Sequence, residues 1–415
     1  MSVRTDAAEN PCGYLFYPAF LMALTKRATI LFRLASAIAI CAATTSFAQT
    51  SHPLGISMPT AERVASSGWW PTKGDAARET YVGTAVCATC HGHKVASQQT
   101  NAMAHAAVRA SDAEVLRQHD SLSFRVGPYR EEIVTKGGKS ILTVSSDDSA
   151  TSVSAELLWA FGVGHMGQTY LYERNGSYYE SHLSFFASSK DLNITPGQST
   201  ETPGSLEDAA GRRMAPEDSR RCFACHTTAS VTKNEFDVNG AMLGVTCEAC
   251  HGPGATHAAA MKSDAPQPGA PAIMNPKNLD PVESVDFCGA CHRTWEDVVT
   301  AGFTRIGTAN ARFAPYRLEN SKCWRNPDPR LTCLACHDPH QPLEHDPAAY
   351  DSRCLECHVK QRGAKTTGDH PGAACRISTK NCTSCHMPKI ESPSQHSTFT
   401  DHWIRIVRAG KPYPN

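Results

Sequence analysis

The sequence is short of three things that sort proteins into classes. Its only sustained apolar stretch, residues 34–43, is too short for a membrane helix, which needs about 20 residues. Charge of either sign is not in excess: 40 basic residues face 40 acidic ones among 415. A basic face for gripping phosphates is therefore not expected, and nucleic acid is disfavoured as a partner. Aromatic residues make up only 7%, so an ordinary apolar core looks sparse. What the chain has in quantity is cysteine (18) and histidine (19).

Fourteen of the cysteines fall into seven copies of C-x-x-C-H. The copies are Cys87/Cys90/His91, Cys222/Cys225/His226, Cys247/Cys250/His251, Cys288/Cys291/His292, Cys333/Cys336/His337, Cys354/Cys357/His358 and Cys382/Cys385/His386. This is the attachment signature of c-type haem. Two thiols at this spacing can add to the two vinyl groups on one porphyrin edge. The histidine that follows then sits where its imidazole binds iron. Zinc sites also use C-x-x-C pairs but do not require a histidine after every second cysteine. A thioredoxin-like redox pair needs one motif, not seven. The expected cofactor is therefore haem c with its iron, seven copies, covalently attached.

Haem c attachment in bacteria takes place outside the cytoplasm, and the N-terminus agrees. Lys26, Arg27 and Arg33 precede the apolar run, and Ser46-Phe47-Ala48 supplies small residues at a cleavage site. Residues 1–48 read as a secretory signal peptide, with Met22 as an alternative start, giving a periplasmic or otherwise exported protein. Removing the leader leaves 36 basic and 38 acidic residues. Haem propionates make the loaded protein more acidic still. A basic redox protein, or a membrane-anchored, quinol-linked one, is the expected partner. Outside the motifs, Cys323 and Cys375 remain after the leader goes, and the oxidising compartment permits a disulfide between them.

The motifs are unevenly spread, which argues against a solenoid repeat. Residues 49–84 read as a linker, 85–110 as a first haem segment and 206–415 as a six-haem domain. Between them, 111–205 reads as a β-rich, haem-poor insertion ending in a linker. Gly137-Gly138 and Asn175-Gly176 each stand between alternating strands, and both predict hairpins. The expected fold is a multihaem cytochrome c: mainly short α-helices and loops around stacked haems, with a small antiparallel β insertion over about 121–190.

Seven irons raise the prior that other histidines act as second axial ligands. His105, His165, His257, His340, His396 and His402 are the six best placed in sequence. His340 follows its motif in "CHDPH", where Pro339 turns it away from its own porphyrin and toward a neighbour. His93, His345 and His370 come next, and His119 and His182 after them. Met103 or Met166 could also serve, and would raise a potential.

The stretches "YVGTAVCATCHGHK", "GVTCEACHGPGATH", "RLTCLACHDPH", "NCTSCHMPK" and "FTDHWIRI" carry a resemblance. Over roughly 81–405 the chain resembles the superfamily of tetrahaem electron-carrier cytochromes, pentahaem nitrite reductase and octahaem hydroxylamine oxidoreductase, with a cytochrome c-552/c-554-type haem domain. The resemblance implies haems in close pairs, mostly with two histidines each. It also implies electron transfer between redox partners. No C-x-x-C is followed by lysine, which speaks against the nitrite reductase site. The alternative is an oxidoreductase acting on a small nitrogen or sulfur compound at one haem with an open distal face.

Overall fold

The computed structural model describes residues 76–232, 235–262, 273–293, 308–324, 330–358, 375 and 377–407. Its largest element is an antiparallel sheet of nine strands: β1 (Ala107–Arg109), β2 (Ser121–Val126), β3 (Tyr129–Lys136), β4 (Lys139–Ser146), β5 (Ser149–Phe161), β6 (Gly167–Arg174), β7 (Ser177–Phe186), β8 (Asp191–Ile194) and β9 (Gly211–Arg213). Strands β2 to β8 pair with their sequence neighbours, as in an up-and-down barrel. The end strands β2 and β8 also pack together, which nearly closes the sheet. The expectation of mainly short helices with a small β insertion is thereby overturned.

The reason lies in strands that the turn signals did not mark. Both expected hairpins are present: Asn175 and Gly176 have φ of 52° and 69°, Gly137 and Gly138 have 60° and 77°. Positive φ at both central residues is what a two-residue hairpin of this twist requires. Between the hairpins, however, lies β5, a strand of 13 residues that pairs with β4 on one side and β6 on the other. It joins the hairpins into one sheet. Its far end also binds β1, with Val108 opposite Ala160. β9 extends the sheet beyond the expected linker by pairing with β7. There Gly211 has φ of 142°, and a Cβ would lie 2.1 Å from the Glu180 carbonyl oxygen, so only glycine fits.

The two faces of this sheet have different work. The inner face buries Leu122, Ile133, Leu142, Leu157, Tyr170 and Leu183 in one cluster. The first helix, α1 (Thr84–Gln98), lies outside that cluster. Two short helices, α2 (Glu114–Gln118) and α3 (Leu206–Ala210), add Leu116, Ala209 and Ala210 to it. The outer face carries Trp159, Phe161 and Leu171, which pack on Phe223 of α4 (Pro216–His226). The aromatic content is low, but it is concentrated here. Phe223 is fully buried and meets Trp159 and Phe161 edge-on, both at 5.1 Å. That contact anchors the second motif to the barrel.

The remaining helices are α5 (Cys247–His251), α6 (Ala255–Met261), α7 (Pro281–His292), α8 (Ala314–Glu319), α9 (Cys333–Cys336), α10 (Asp351–His358) and α11 (Cys382–His386). A last hairpin, Lys389–Ser392 with Ser397–Thr400, follows. Among the described residues no helix is long and apolar enough to cross a membrane. The expected leader and most of the linker that follows it lie outside the described residues, as does His370. Cys323 and Cys375 do not pair. Both are free thiols: Cys375 is exposed, and Cys323 is half-buried, where burial and the nearby Cys357 push its pKa up.

Candidate haem-attachment sites

Every motif is built the same way. Each C-x-x-C lies on a helix, so the two thiols, three residues apart, share one face. The histidine then ends the helix in α4, α5, α7, α10 and α11, and is the residue just after α9. In α1 the helix continues, but His91 leaves helical geometry, at φ −114° and ψ 33°. The histidine thus follows the first thiol by about one helical turn and directly succeeds the second in all seven copies. All 14 motif thiols are free and none is fully buried.

The histidines are also held in the right tautomer. His226 Nδ1 donates to the Ala106 carbonyl at 3.0 Å, His251 Nδ1 to Met274 at 2.7 Å and His386 Nδ1 to Arg405 at 2.9 Å. A donor at Nδ1 leaves the Nε2 lone pair for a metal. Burial lowers the pKa of His251, His292 and His337, which favours the neutral, ligating form. The His292 side chain reaches solvent, yet the chain around it is dense enough to lower its pKa, with His226 and His337 adding to the effect. These thiols and imidazoles fit haem c.

Three pairs of motifs meet through their first cysteines. The thiols of Cys87 and Cys247 hydrogen-bond, joining the first motif to the third; burial, then the Cys247 thiol, lifts Cys87 to about 11. Cys288 and Cys333 do the same for the fourth and fifth, and that hydrogen bond raises Cys288 while lowering Cys333. Cys354 and Cys382 do it for the sixth and seventh. Between these pairs, Cys250 lies within electrostatic reach of Cys288, and Cys336 of Cys354. The second motif joins from the side: Cys225 Sγ donates to the Ala290 carbonyl, inside the fourth motif, at 3.7 Å. The motifs therefore run in the order first, third, fourth, fifth, sixth, seventh, with the second attached at the fourth.

The 14 motif cysteines are not equally exposed. Ten are half-buried, while Cys90, Cys291, Cys336 and Cys385 are exposed. All four are the second cysteine of their motif. The physical reason is the contact just described. The first thiols Cys87, Cys288, Cys333 and Cys382 are turned against a neighbouring motif. The second thiol, one helical turn further on, is left at the open side.

Two further histidines meet motif histidines. The His340 ring lies parallel to His251, centroids 6.1 Å apart. The His402 ring lies 6.1 Å from His337. If these motifs carry haem, His251 with His340 and His337 with His402 are the imidazole pairs that would hold the iron. His402 Nδ1 donates to the Thr400 carbonyl at 3.0 Å, and His340 Nδ1 faces Asp338 Oδ1 at 3.2 Å, so each presents Nε2. Burial, reinforced by His337, brings the His402 pKa down to about 4. His257, on α6, lies close enough to His251 to influence it.

The other candidates are placed elsewhere. His105 has its Nε2 on the Gln99 carbonyl at 2.7 Å, the opposite tautomer from the motif histidines. His165 is exposed between β5 and β6. His396 sits in a left-handed turn, edge-on to Phe186 at 4.6 Å. His119 Nδ1 is engaged by the Val115 carbonyl, and His182 is buried against Glu131.

Comparison with known proteins points the same way as this geometry. The family described as "Cytochrome c554 and c-prime" matches residues 181–252, a stretch holding the second and third motifs. The multiheme cytochrome MtrA of Shewanella baltica is 24% identical over 214 residues, 43% of this chain. The match spans 64% of that relative's length. The crystal structure of the outer cell wall cytochrome OcwA aligns over 79% of this chain and 80% of its own, at 15% identity and a TM-score of 0.38. The family match and the Shewanella baltica relative support a multihaem c-type cytochrome.

Two carboxylates that sequence reasoning missed hold the cytochrome's motifs in register. Glu248, within the third motif, is buried and accepts from Val82 N (2.9 Å), Gly83 N (2.8 Å) and Gly254 N (2.7 Å). It thereby ties the start of α1 to the third motif. Asp351, at the start of α10, accepts from Asn381 N (2.7 Å) and Cys382 N (2.8 Å). These backbone donors hold its pKa below the usual range. Asp351 caps α11 where Asn381 supplies no side-chain cap, and so joins the sixth motif to the seventh.

Proposed function

We propose that the protein is an exported seven-haem c-type cytochrome that passes electrons between redox partners. The observation that carries this reading is the order of the motifs: three pairs meet through their first thiols, and the third and fourth, like the fifth and sixth, lie within electrostatic reach of each other. Attachment sites that share thiol contacts bring their cofactors close together, as stepwise one-electron transfer needs. When bound, each haem supplies a one-electron couple whose potential is set by axial ligands and burial. The chain's own part is to hold, order and desolvate those groups. On this reading His340 shares an iron with His251, and His402 shares one with His337. Both assignments are supported by the 6.1 Å ring separations. The leader at 1–48 supports export, and the acidic balance of the loaded protein suits a basic partner.

The test is a redox titration of the haem-loaded protein together with its mass. Seven attached haems, low-spin in both oxidation states and inert to carbon monoxide and nitrite, are expected. Fewer than seven haems would overturn the count. A carbon monoxide-binding haem with nitrite turnover would overturn the carrier reading in favour of a reductase.

A further inference from the structure

Behind His402 lies a buried ion pair that neither the motifs nor the barrel require. Arg317 on α8 and Asp401 are both fully buried. The contact is bidentate: Arg317 Nε donates to Asp401 Oδ1 at 2.7 Å, and Nη2 to Oδ2 at 3.0 Å. Arg405 Nη1 donates to Oδ2 as well, and Trp403 N donates to Oδ1 at 3.1 Å. Both guanidinium groups also lie over the Trp403 ring, at 5.1 and 4.8 Å. One carboxylate thus gathers residues on both sides of His402.

Stability alone is a poor reason for such a pair. Desolvating two charges costs about as much as their attraction returns, and apolar replacements of similar volume are often neutral or stabilising. What an ion pair adds is direction. A bidentate arginine fixes both the distance and the plane of a carboxylate. Here that plane sets the backbone on either side of one imidazole. Ser321, just after α8, completes the clamp: its Oγ donates to the His402 carbonyl at 3.3 Å and accepts from Ile404 N at 2.8 Å.

We propose that the Arg317–Asp401 pair positions His402 opposite His337, and so controls the axial ligation of the haem on the fifth motif. The proposal rests on His337 and His402 sharing an iron. Arg317 and Asp401 are positioning residues and touch neither the metal nor the ring nitrogen that would bind it.

Three variants of the full, haem-loaded chain test it by thermal melting and by the high-spin fraction in electron paramagnetic resonance. His402→Ala removes the ligand and is expected to turn about one seventh of the haem high-spin, given seven motifs. Asp401→Asn keeps the volume and should produce the same species in part, or shift one potential, with haem content unchanged. The double variant Arg317→Met with Asp401→Leu removes both charges, and is expected to recover the melt without recovering the ligation. A structural role alone would recover both. If Asp401→Asn fails to load haem, Arg317→Lys keeps the charge, loses the bidentate contact and should show the same high-spin species. The proposal is overturned if His402→Ala is high-spin at one haem while the charge variants stay fully low-spin. If His402→Ala itself changes nothing, the shared iron is wrong and the positioning role falls with it.

Discussion

His251 and His340 face each other with parallel rings 6.1 Å apart, although one belongs to the third motif and the other trails the fifth. The loop that carries His340 is fixed from the end of α1 and the turn that follows it: Asn101 Nδ2 donates to the Pro339 carbonyl at 3.0 Å and to the Gln341 carbonyl at 2.6 Å. Ser97 Oγ donates to the His340 carbonyl. The end of the first motif's helix and the turn after it thus hold His340, which trails the fifth motif, beside His251 of the third. Replacing His340 with alanine should therefore disturb the haem of the third motif and leave that of the fifth intact. The check is to combine His340→Ala with a potential-shifting His251→Met. The two lesions should fall on one haem in a redox titration, whereas His340→Ala with His337→Met should affect two.

Glu248 gives a second prediction. Its carboxylate receives three backbone N–H groups from two segments, and all three lose their acceptor when it is truncated. Buried donors left without partners cost about 1–3 kcal/mol each, less where water can enter. Glu248→Ala should destabilise the contact between the first and third motifs by about 3 kcal/mol. Hydrogen exchange at Val82, Gly83 and Gly254 should rise in this variant while exchange in the barrel strands stays unchanged. Glu248→Gln, which keeps one oxygen acceptor, should fall between the two.

The C-x-x-C-H motifs are legible because they are local: a single turn of helix places all three side chains. Which thiols stay open is not, since the exposure of Cys90, Cys291 and Cys385 depends on neighbouring motifs that the first thiols meet. The partners of those sites were only half readable. His340 and His402 could be named from their spacing to a motif, but the motif histidine each meets depends on contacts between distant segments. His105 shows the converse. It stands in a promising place after the first motif, and a single carbonyl, that of Gln99, takes its Nε2. Strand β5 was missed because its first half alternates serine with alanine, threonine and valine, which gives a weak apolar signal until Leu157. The Arg317–Asp401 pair joins positions 84 apart and left no pattern to find. The expected disulfide failed for a similar reason: shared compartment and spare cysteines say nothing about whether two thiols meet.

Phe223 makes a third case. It is fully buried between the barrel and α4, touching Trp159, Phe161, Tyr178 and Phe236. It is also the residue between Cys222 and Ala224 within the second motif, so packing and cofactor attachment depend on the same turn of helix. Phe223→Ala should cost about 3–5 kcal/mol, as large-to-small changes in a packed core do. Limited proteolysis should then cut first between β9 and α4, before any site in the barrel, and Phe223→Leu should protect most of that segment.

The barrel core holds an ionisable pair of its own, and it makes the barrel sensitive to alkali. His182 Nδ1 lies 2.8 Å from Glu131 Oε1, and both side chains are buried. Burial works against a charged His182, but the hydrogen bond to Glu131 and the Glu131 charge outweigh it and hold its pKa above the usual value. Burial raises Glu131 too, with His182 pulling the other way. The sign follows from the histidine. A raised folded pKa contributes stability that is complete below the unfolded value, about 6.5, and is lost as pH rises through the folded value. Above that point the ring is neutral and a buried carboxylate has no countercharge. The barrel's melting temperature should therefore fall as pH rises from 6 toward 9, followed by circular dichroism in the strand region. Glu131→Gln should flatten that dependence by removing the charge that needs a partner. His182→Ala should leave Glu131 buried and unpaired at all neutral pH values, at a cost of about 3–5 kcal/mol. A melt independent of pH between 6 and 9 in the unaltered protein would show that the pair does not change protonation there.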